Sequence, residues 1–488
     1  RPLTTTTTIT TASTTTTPAA TAVASSASAS SIFSHNQRND TTSVTSNRQY
    51  SASSSNLIPS TAATTNRTLR RTMSSTTAPT TTTAVTISPL KEEALWALQE
   101  AKKQNMMGPE DTALIFHSWT QHRHYLQHLQ QAFASAGKHP NNTLHAIAVK
   151  TNPHPAILRQ LVEWGFGLEC ASMEEVYLSM NAGCPGDHIV FDSPVKTRHE
   201  LQICHTNPAL KGILVNVNCL EELERIPADP NYVVGLRINP LVHAGGPEMF
   251  QVSGDESKFG IPITHKDLIL DAITKYPITQ LHVHSGTAME DLSVAVNAIA
   301  SVVDVATEAN TLLEQAGKTE RRIVGVDIGG GLRPEILETT SSSTDHKNDK
   351  KQQVSRMEYY VAELKKAAPA LWDQNMKLVT EFGQWSYFYS GFVWSKIEYA
   401  LQREHTRVAY LHVGADMFLR DIYTGKDRGM EYLPVNSDGS EMDTTRPNTL
   451  TDLAGPLCFA GDYLQQQIQF PKLEEGDEVL LLNTGSNA

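Results

Sequence analysis

One unit repeats along this chain from residue 145 onward and constrains its fold more than any other feature. A short β-rich run ends in polar or Gly/Pro residues, and a segment of helical period follows. The runs are "HAIAVK" (145–150), "GFGLEC" (165–170), "HIVFDS" (188–193), "GILVNV" (212–217), "VVGLRIN" (233–239), "QLHVHS" (280–285), "IVGVDIGG" (323–330) and "KLVTEFG" (377–383). Between them, segments such as "PAILRQLVEWG", "SMEEVYLSMNAG" and "LSVAVNAIASVVDVATEANTLLEQAG" carry apolar residues at helical spacing, and Pro155 suits a first helical turn. Eight βα units predict a (β/α)8 barrel, with a doubly wound open sheet as the alternative.

The remainder differs in character. "GFVWSKIEYALQ", "TRVAYLHVG", "DMFLRDIY" and "DEVLLLNTG" read as strands without long intervening helices, so a β domain (387–488) should follow the barrel (110–386). "DTALIFHSWTQ" (111–121) reads as a strand that could join that domain, and the polar "LETTSSSTDHKNDKKQQ" (337–353) as a surface insertion. Residues 1–88 are dominated by Thr, Ser and Ala, with six arginines, no lysine and a single acid, Asp40. Such a segment has too little apolar surface to offset the entropy of ordering it. Its Ser-rich, acid-poor composition is that of an organellar transit peptide, plastid or mitochondrial, with a mucin-like stalk as the rival. Met73 within "NRTLRRTMSS" is an alternative start.

The net charge is −12, and without the basic leader it is about −17, which argues against nucleic acid as a partner. No uninterrupted apolar run reaches the length of a membrane span. The five cysteines (Cys170, Cys184, Cys204, Cys219, Cys458) are scattered and lack CxxC spacing, so reduced thiols in an intracellular compartment are expected.

A (β/α)8 barrel carries its chemistry at the C-terminal ends of its strands. Read at those ends, the eight runs give Lys150, His284, the triplet Gly329, Gly330, Gly331, and Glu381. Each has a plain alternative. Lys150 could be a solvated loop charge, the glycines a tight turn, and Glu381 a helix cap. Jointly they offer an amine for a Schiff base, an aromatic base, an anion-cradling loop and a carboxylate, which is what a pyridoxal 5′-phosphate site needs. His282 and His284 at a strand end could instead suggest metal, but no third ligand of matching spacing lies nearby in sequence, so no metal site is expected.

From about residue 110 to the end, the sequence resembles the fold-type III pyridoxal phosphate decarboxylases, the group that includes diaminopimelate, ornithine and arginine decarboxylases. "IAVKTNPHP", "DESKFGIP", "HVHSGT", "VDIGGGL" and "GPLCFAGD" carry the resemblance. It implies an alanine-racemase-like barrel with Lys150 as the cofactor lysine and His284 stacked on the pyridine ring. Gly286, Thr287 and the triplet would lie near the phosphate, with Glu381 at the ring nitrogen. It also implies a homodimer in which "GPLCFAGD" reaches the partner's site, so that Cys458 joins Lys150 and Glu381 among the catalytic residues. The "HxHxG" form, and Arg420 in "DMFLRDIY" as a substrate arginine, are closest to diaminopimelate decarboxylase, hence to lysine biosynthesis.

This chain departs from that pattern at three places. Gln384 stands where the family has an arginine, and Phe459 where an acid normally recognises a distal amino group. The family's tyrosine beyond the last strand is not seen before "NTGSNA", so the β domain is expected to be truncated. Gln384 and Phe459 therefore join Arg420 as candidate substrate contacts. The expected activity is decarboxylation of an α-amino acid, diaminopimelate or a relative. Two alternatives are an inactive cofactor-binding homologue and, on the same barrel, an amino acid racemase.

Overall fold

The computed structural model describes residues 7–8, 22–25, 88–242, 253–254, 256–286, 291–334, 337–341, 351–424, 429–443 and 445–486. The chain divides into two units, residues 1–27 with 88–488, and residues 28–87; the second lies outside the described residues.

The first strand, β1 (Ala113–Ser118), belongs to the β domain and is followed by α2 (Trp119–Ser135), α1 being Lys91–Lys103. Eight parallel strands come next: β2 (Thr143–Ala148), β3 (Gly167–Cys170), β4 (Ile189–Phe191), β5 (Leu214–Val217), β6 (Val233–Asn239), β7 (Ile278–His282), β8 (Gly325–Asp327) and β9 (Lys377–Thr380). Each pairs with the next, and β9 returns to β2, so the sheet closes. This is the expected eight-stranded barrel, not an open sheet. Their burial is nearly continuous, as parallel strands under helices require.

Helices α3 (Pro155–Glu163), α4 (Met173–Asn181), α5 (Arg198–Thr206), α6 (Leu220–Leu223), α7 (Lys266–Lys275), α8 (Leu292–Gln315) and α9 (Arg356–Ala367) follow in sequence. Their starts are written locally. Ser172 accepts from the Glu175 amide, and Thr197 and Ser355 close capping boxes with Glu200 and Glu358. By length and composition α8 is apolar enough to cross a membrane, with a mean hydropathy of 1.4, which corrects the expectation drawn from uninterrupted runs. Twelve of its side chains, Leu292 to Leu313, are instead buried, most of them in the barrel's core cluster.

After the short α10 (Gly383–Tyr387), β10 (Gly391–Gln402) opens the β domain and is its organising strand. It pairs antiparallel with β1, with β11 (Arg407–Leu411) and with β15 (Glu478–Leu482). The sheet extends through β12 (Glu431–Val435), β13 (Asn448–Ala454) and β14 (Tyr463–Pro471). "DTALIFHSWTQ" thus joins this domain as expected. "DMFLRDIY" does not form a strand: a turn closed by Met417 and Phe418 amides on the Gly414 carbonyl leads into α11 (Leu419–Thr424). Phe418 and Ile422, four apart, face the domain core, a helical rather than alternating spacing. Leu337–Ser341 and Lys351–Ser355 pair as a hairpin within the expected insertion. In the leader, Ala22–Ser25 pairs along β1; edge pairing through backbone groups needs no apolar surface.

Candidate active site

The barrel brings the strand-end residues together. Lys150 follows β2 in a single 3-10 turn, Val149–Thr151, and its half-exposed ammonium lies 3.0 Å from the fully buried Glu169 of β3. Asp192, one residue past β4, binds Arg237 of β6 at 3.0 Å. His282, the last residue of β7, places Nδ1 3.3 Å from Asp192 and Nε2 3.7 Å from Glu381, which follows β9. Asp327 ends β8 in register with His282 and accepts from the Gly329 amide (3.0 Å) and from Asn216 Nδ2 (3.3 Å).

The electrostatics follow from the count. Glu169, Asp192, Asp327 and Glu381 are four buried acids against the two cationic groups Lys150 and Arg237. Burial and the neighbouring acids Asp327, Glu169 and Asp192 push the Glu381 carboxyl well above the usual range. Burial likewise raises Glu169 and Asp327. Asp192 behaves oppositely: burial works against its charge, but Arg237 and His282 hold it far below the usual carboxylate range. Burial disfavours the Lys150 ammonium, yet Glu169, Glu381 and Asp192 outweigh it and raise its pKa. His284 is pushed far down by burial and by Arg237 and Lys150, so it is neutral; its Nδ1 accepts from the Gly330 amide at 3.2 Å, which leaves the proton on Nε2.

The glycine loop is a cradle that only glycine could make. Gly329 and Gly331 have φ +65° and +96°, and Gly286 has φ +146°. A Cβ on Gly330 would collide with the Glu381 carbonyl, and one on Gly329 would lie 2.5 Å from His284 Nδ1. The Glu381 amide donates to the Gly329 carbonyl at 2.8 Å, so the loop and the carboxylate are fastened together. Both His282 nitrogens and Glu381 Oε1 are buried without a hydrogen bond. An amine, a neutral imidazole, backbone amides without side chains and unsatisfied polar atoms on one rim fit pyridoxal 5′-phosphate.

Not every candidate lies in this cluster. Thr287 is outside the described residues. Gln384, on α10, is buried, and neither its amide nitrogen nor its oxygen finds a partner. Cys458 and Phe459 are exposed on a β-domain loop whose shape Asp462 sets by accepting from the Ala415 amide at 2.6 Å and the Leu457 amide at 2.8 Å. Phe459 stacks on Tyr423 of α11 (5.4 Å, 7°), which ties its loop to the helix carrying half-buried Arg420.

Sequence reasoning passed over Glu169, Asp192, Arg237 and Asp327, and considered His282 only as a metal ligand. The signal was present, since each is a charged or basic residue inside an apolar run. Asp192, His282 and Glu381, far apart in sequence, each bring an atom within 4.8 Å of the others, a grouping that spacing along the chain does not reveal. The Arg237 guanidinium on Asp192 opposes a cation there.

The pyridoxal-binding domain of the pyridoxal-dependent decarboxylases matches residues 126–386. Diaminopimelate decarboxylase of Bacteroides thetaiotaomicron is 26% identical over 362 residues, 72% of this chain and 84% of that protein. An L-glutamyl-[BtrI acyl-carrier protein] decarboxylase of Niallia circulans is 23% identical over 349 residues, covering 70% and 77%. The solved diaminopimelate decarboxylase of Helicobacter pylori complexed with L-lysine superposes with a TM-score of 0.63 at 19% identity, covering 79% of this chain and 89% of that one. The arginine decarboxylase of Paramecium bursaria Chlorella virus bound to agmatine gives 0.63 at 15% identity, covering 80% and 94%.

Proposed function

This chain belongs to the family of pyridoxal-dependent decarboxylases, and from that premise we propose which residues perform the reaction and what kind of amino acid they accept. It is a carboxy-lyase that uses pyridoxal 5′-phosphate to decarboxylate an amino acid. The cofactor, when bound, supplies the electron sink for the pair that carbon dioxide leaves behind.

In our reading Lys150 holds the cofactor through its amine. Glu169, 3.0 Å away, pairs with the ammonium and orients it. Neutral His284 would pack against the cofactor's ring, and Glu381 would serve its ring nitrogen. The loop of Gly329, Gly330 and Gly331, with Gly286, would leave room for the phosphate without side chains in the way, while the Gly329 and Gly330 amides are held by Asp327 and His284. Lys150 would also be placed to return a proton to the substrate's α-carbon. Cys458 from a second copy of the chain is the other candidate donor, because the loop that carries it is exposed beside the apolar side chains Leu419, Tyr423, Leu457 and Phe459.

For the substrate we infer an α-amino acid related to diaminopimelate but without its distal ammonium group at Phe459. The carrying observation is that position 459 is Phe459, stacked on Tyr423, and so offers a distal cation no carboxylate. A glutamyl group on a carrier protein, for which one relative is named, has no distal cation and supports this reading; diaminopimelate, for which another is named, has one. Carbon dioxide release should be measured across diaminopimelate, lysine, ornithine, arginine and glutamate-type substrates. Turnover should be highest without a distal cation, and Phe459→Asp should shift it toward lysine and ornithine. Equal preference for ornithine in both proteins would defeat the assignment. The basic, acid-poor leader supports a plastid or mitochondrial location, which a fluorescent fusion to residues 1–88 tests.

A further inference from the structure

His282 has no part in the chemistry above, yet it sits at the centre of the charged layer. Its ring is fully buried, and each nitrogen faces an acid: Nδ1 meets Asp192 Oδ1 at 3.3 Å, and Nε2 meets Glu381 Oε1 at 3.7 Å. Neither nitrogen completes a hydrogen bond, and neither does Glu381 Oε1. Asp192 commits its other oxygen to Arg237 at 3.0 Å. The second oxygen of Glu381 lies 3.8 Å from His284 Nδ1, on the side of the glycine loop. A line of groups therefore runs Arg237, Asp192, His282, Glu381, with one end anchored by a permanent cation and the other turned toward the cofactor's place.

The remaining groups around this line are acids or are already engaged. Asp327 flanks His282 from β8, is held by the Gly329 amide and Asn216, and also lies within hydrogen-bond reach of Glu381, whose carboxyl it pushes toward the protonated form. Glu169 is occupied with Lys150, and His284 with the Gly330 amide. A buried carboxylate without a partner is costly, and losing one partner of such a pair costs more than the pair contributes. Glu381 can thus be kept as an anion only if something beside it offers a proton or a positive charge, and among the described residues His282 is placed to do so on the side away from the cofactor. An imidazole also fixes direction. By taking Oε1, it leaves Oε2 for the ring nitrogen.

We propose that His282 is a positioning residue: bridging Asp192 and Glu381, it fixes the Glu381 carboxyl and keeps it charged, so that the cofactor's ring nitrogen remains protonated. The proposal rests on the reading of Glu381 as the partner of that nitrogen. It involves no bond to the cofactor. His282 acts through its place between Asp192 and Glu381, and no proton is consumed.

The test uses holoenzyme reconstituted with pyridoxal 5′-phosphate labelled with 15N in the ring, whose chemical shift reports protonation directly. In the wild type the shift should be that of a protonated ring across pH 6 to 9. Glu381→Gln should move it to the unprotonated value. His282→Gln should move it part of the way and make it titrate within that range, with kcat lower by about tenfold and KM little changed. If Glu381→Gln moves the shift and His282→Gln leaves both shift and pH profile as in the wild type, the role of His282 is refuted while Glu381 keeps its own. If Glu381→Gln leaves the ring protonated, the underlying reading fails and the proposal with it. His282→Phe, which deletes both contacts, should reproduce the glutamine result more strongly. Should neither variant fold, wild-type protein with 15N-labelled histidine decides: both His282 resonances must move when cofactor is added, and unmoved resonances overturn the proposal.

Discussion

His145, the third residue of β2, packs against Phe133 at 5.5 Å between ring centres, and its Nδ1 lies 2.9 Å from Thr380 Oγ1 on the neighbouring strand. Burial pushes its pKa down to about 4, against 6.5 for a free imidazole. Between those values the unfolded chain binds a proton that the folded chain refuses, so stability falls as pH drops from about 6.5 to about 4 and no further below. The full loss is on the order of 3 kcal/mol. His145→Gln removes the titration while keeping a partner for Thr380. Urea midpoints measured from pH 7 to 4.5 should show a shallower acid slope by up to one proton, about 1.4 kcal/mol per pH unit; an unchanged slope contradicts the burial argument. The acid limb persists in the variant, since burial also lowers His117, to about 3, and His122. Lys150, His284 and Glu381 were readable at this scale because a lysine or carboxylate at the tip of an apolar run is conspicuous. Glu169 and Arg237 were not singled out, although the same rule covers them, because each sits inside its run rather than after it. Their role depends on neighbours far away in sequence, such as Lys150 for Glu169.

Elements were legible where period and length agreed. The eight barrel runs alternate with helical segments too regularly to be misread, and the segment 111–121 was placed correctly from its alternation. "DMFLRDIY" was misread because eight residues contain too few apolar positions to separate a period of two from one of 3.6. Helix α1 went unread although Ala94, Ala97, Leu98 and Ala101 lie on one face, with Glu92 and Glu93 in its first turn and Lys102 and Lys103 in its last. Its apolar face completes a cluster with Leu114, Phe116, Phe392 and Trp394 of the β domain. The loop after β8 makes an element-scale prediction. A Cβ at Gly330 meets the Glu381 backbone, which cannot yield without moving the carboxylate. Gly330→Ala should therefore weaken cofactor affinity by about tenfold or more and lower stability by about 1–3 kcal/mol, a few degrees in melting temperature. Fluorescence titration of apoprotein with pyridoxal 5′-phosphate measures the first, and thermal melting the second. A large fall in melting temperature with normal affinity would make the loop a structural turn.

At the scale of the molecule, the barrel rim supplies cofactor-binding chemistry, and the candidate substrate contacts Cys458, Phe459 and Arg420 are carried by the β domain. Cys458 follows Lys150 by about 300 residues and is exposed on its loop. Beside it, Leu419, Tyr423, Leu457 and Phe459 are each more than 40% exposed, an apolar grouping that a soluble surface usually covers. A two-fold dimer that buries this grouping would bring each loop to the other chain's barrel, so that both sites are built from two chains. The expectation can be checked by complementation. Lys150→Ala and Cys458→Ala chains are each inactive alone in that arrangement, since every site lacks one of the two groups. After subunit exchange, half of the dimers are mixed, and each mixed dimer has one site with both native residues. Activity should then return to about a quarter of wild type. With exchange demonstrated by differently tagged chains, a mixture that stays inactive places Cys458 within its own chain's chemistry or outside it altogether. In that case the exposed grouping must be covered by something other than a second copy engaged in this way.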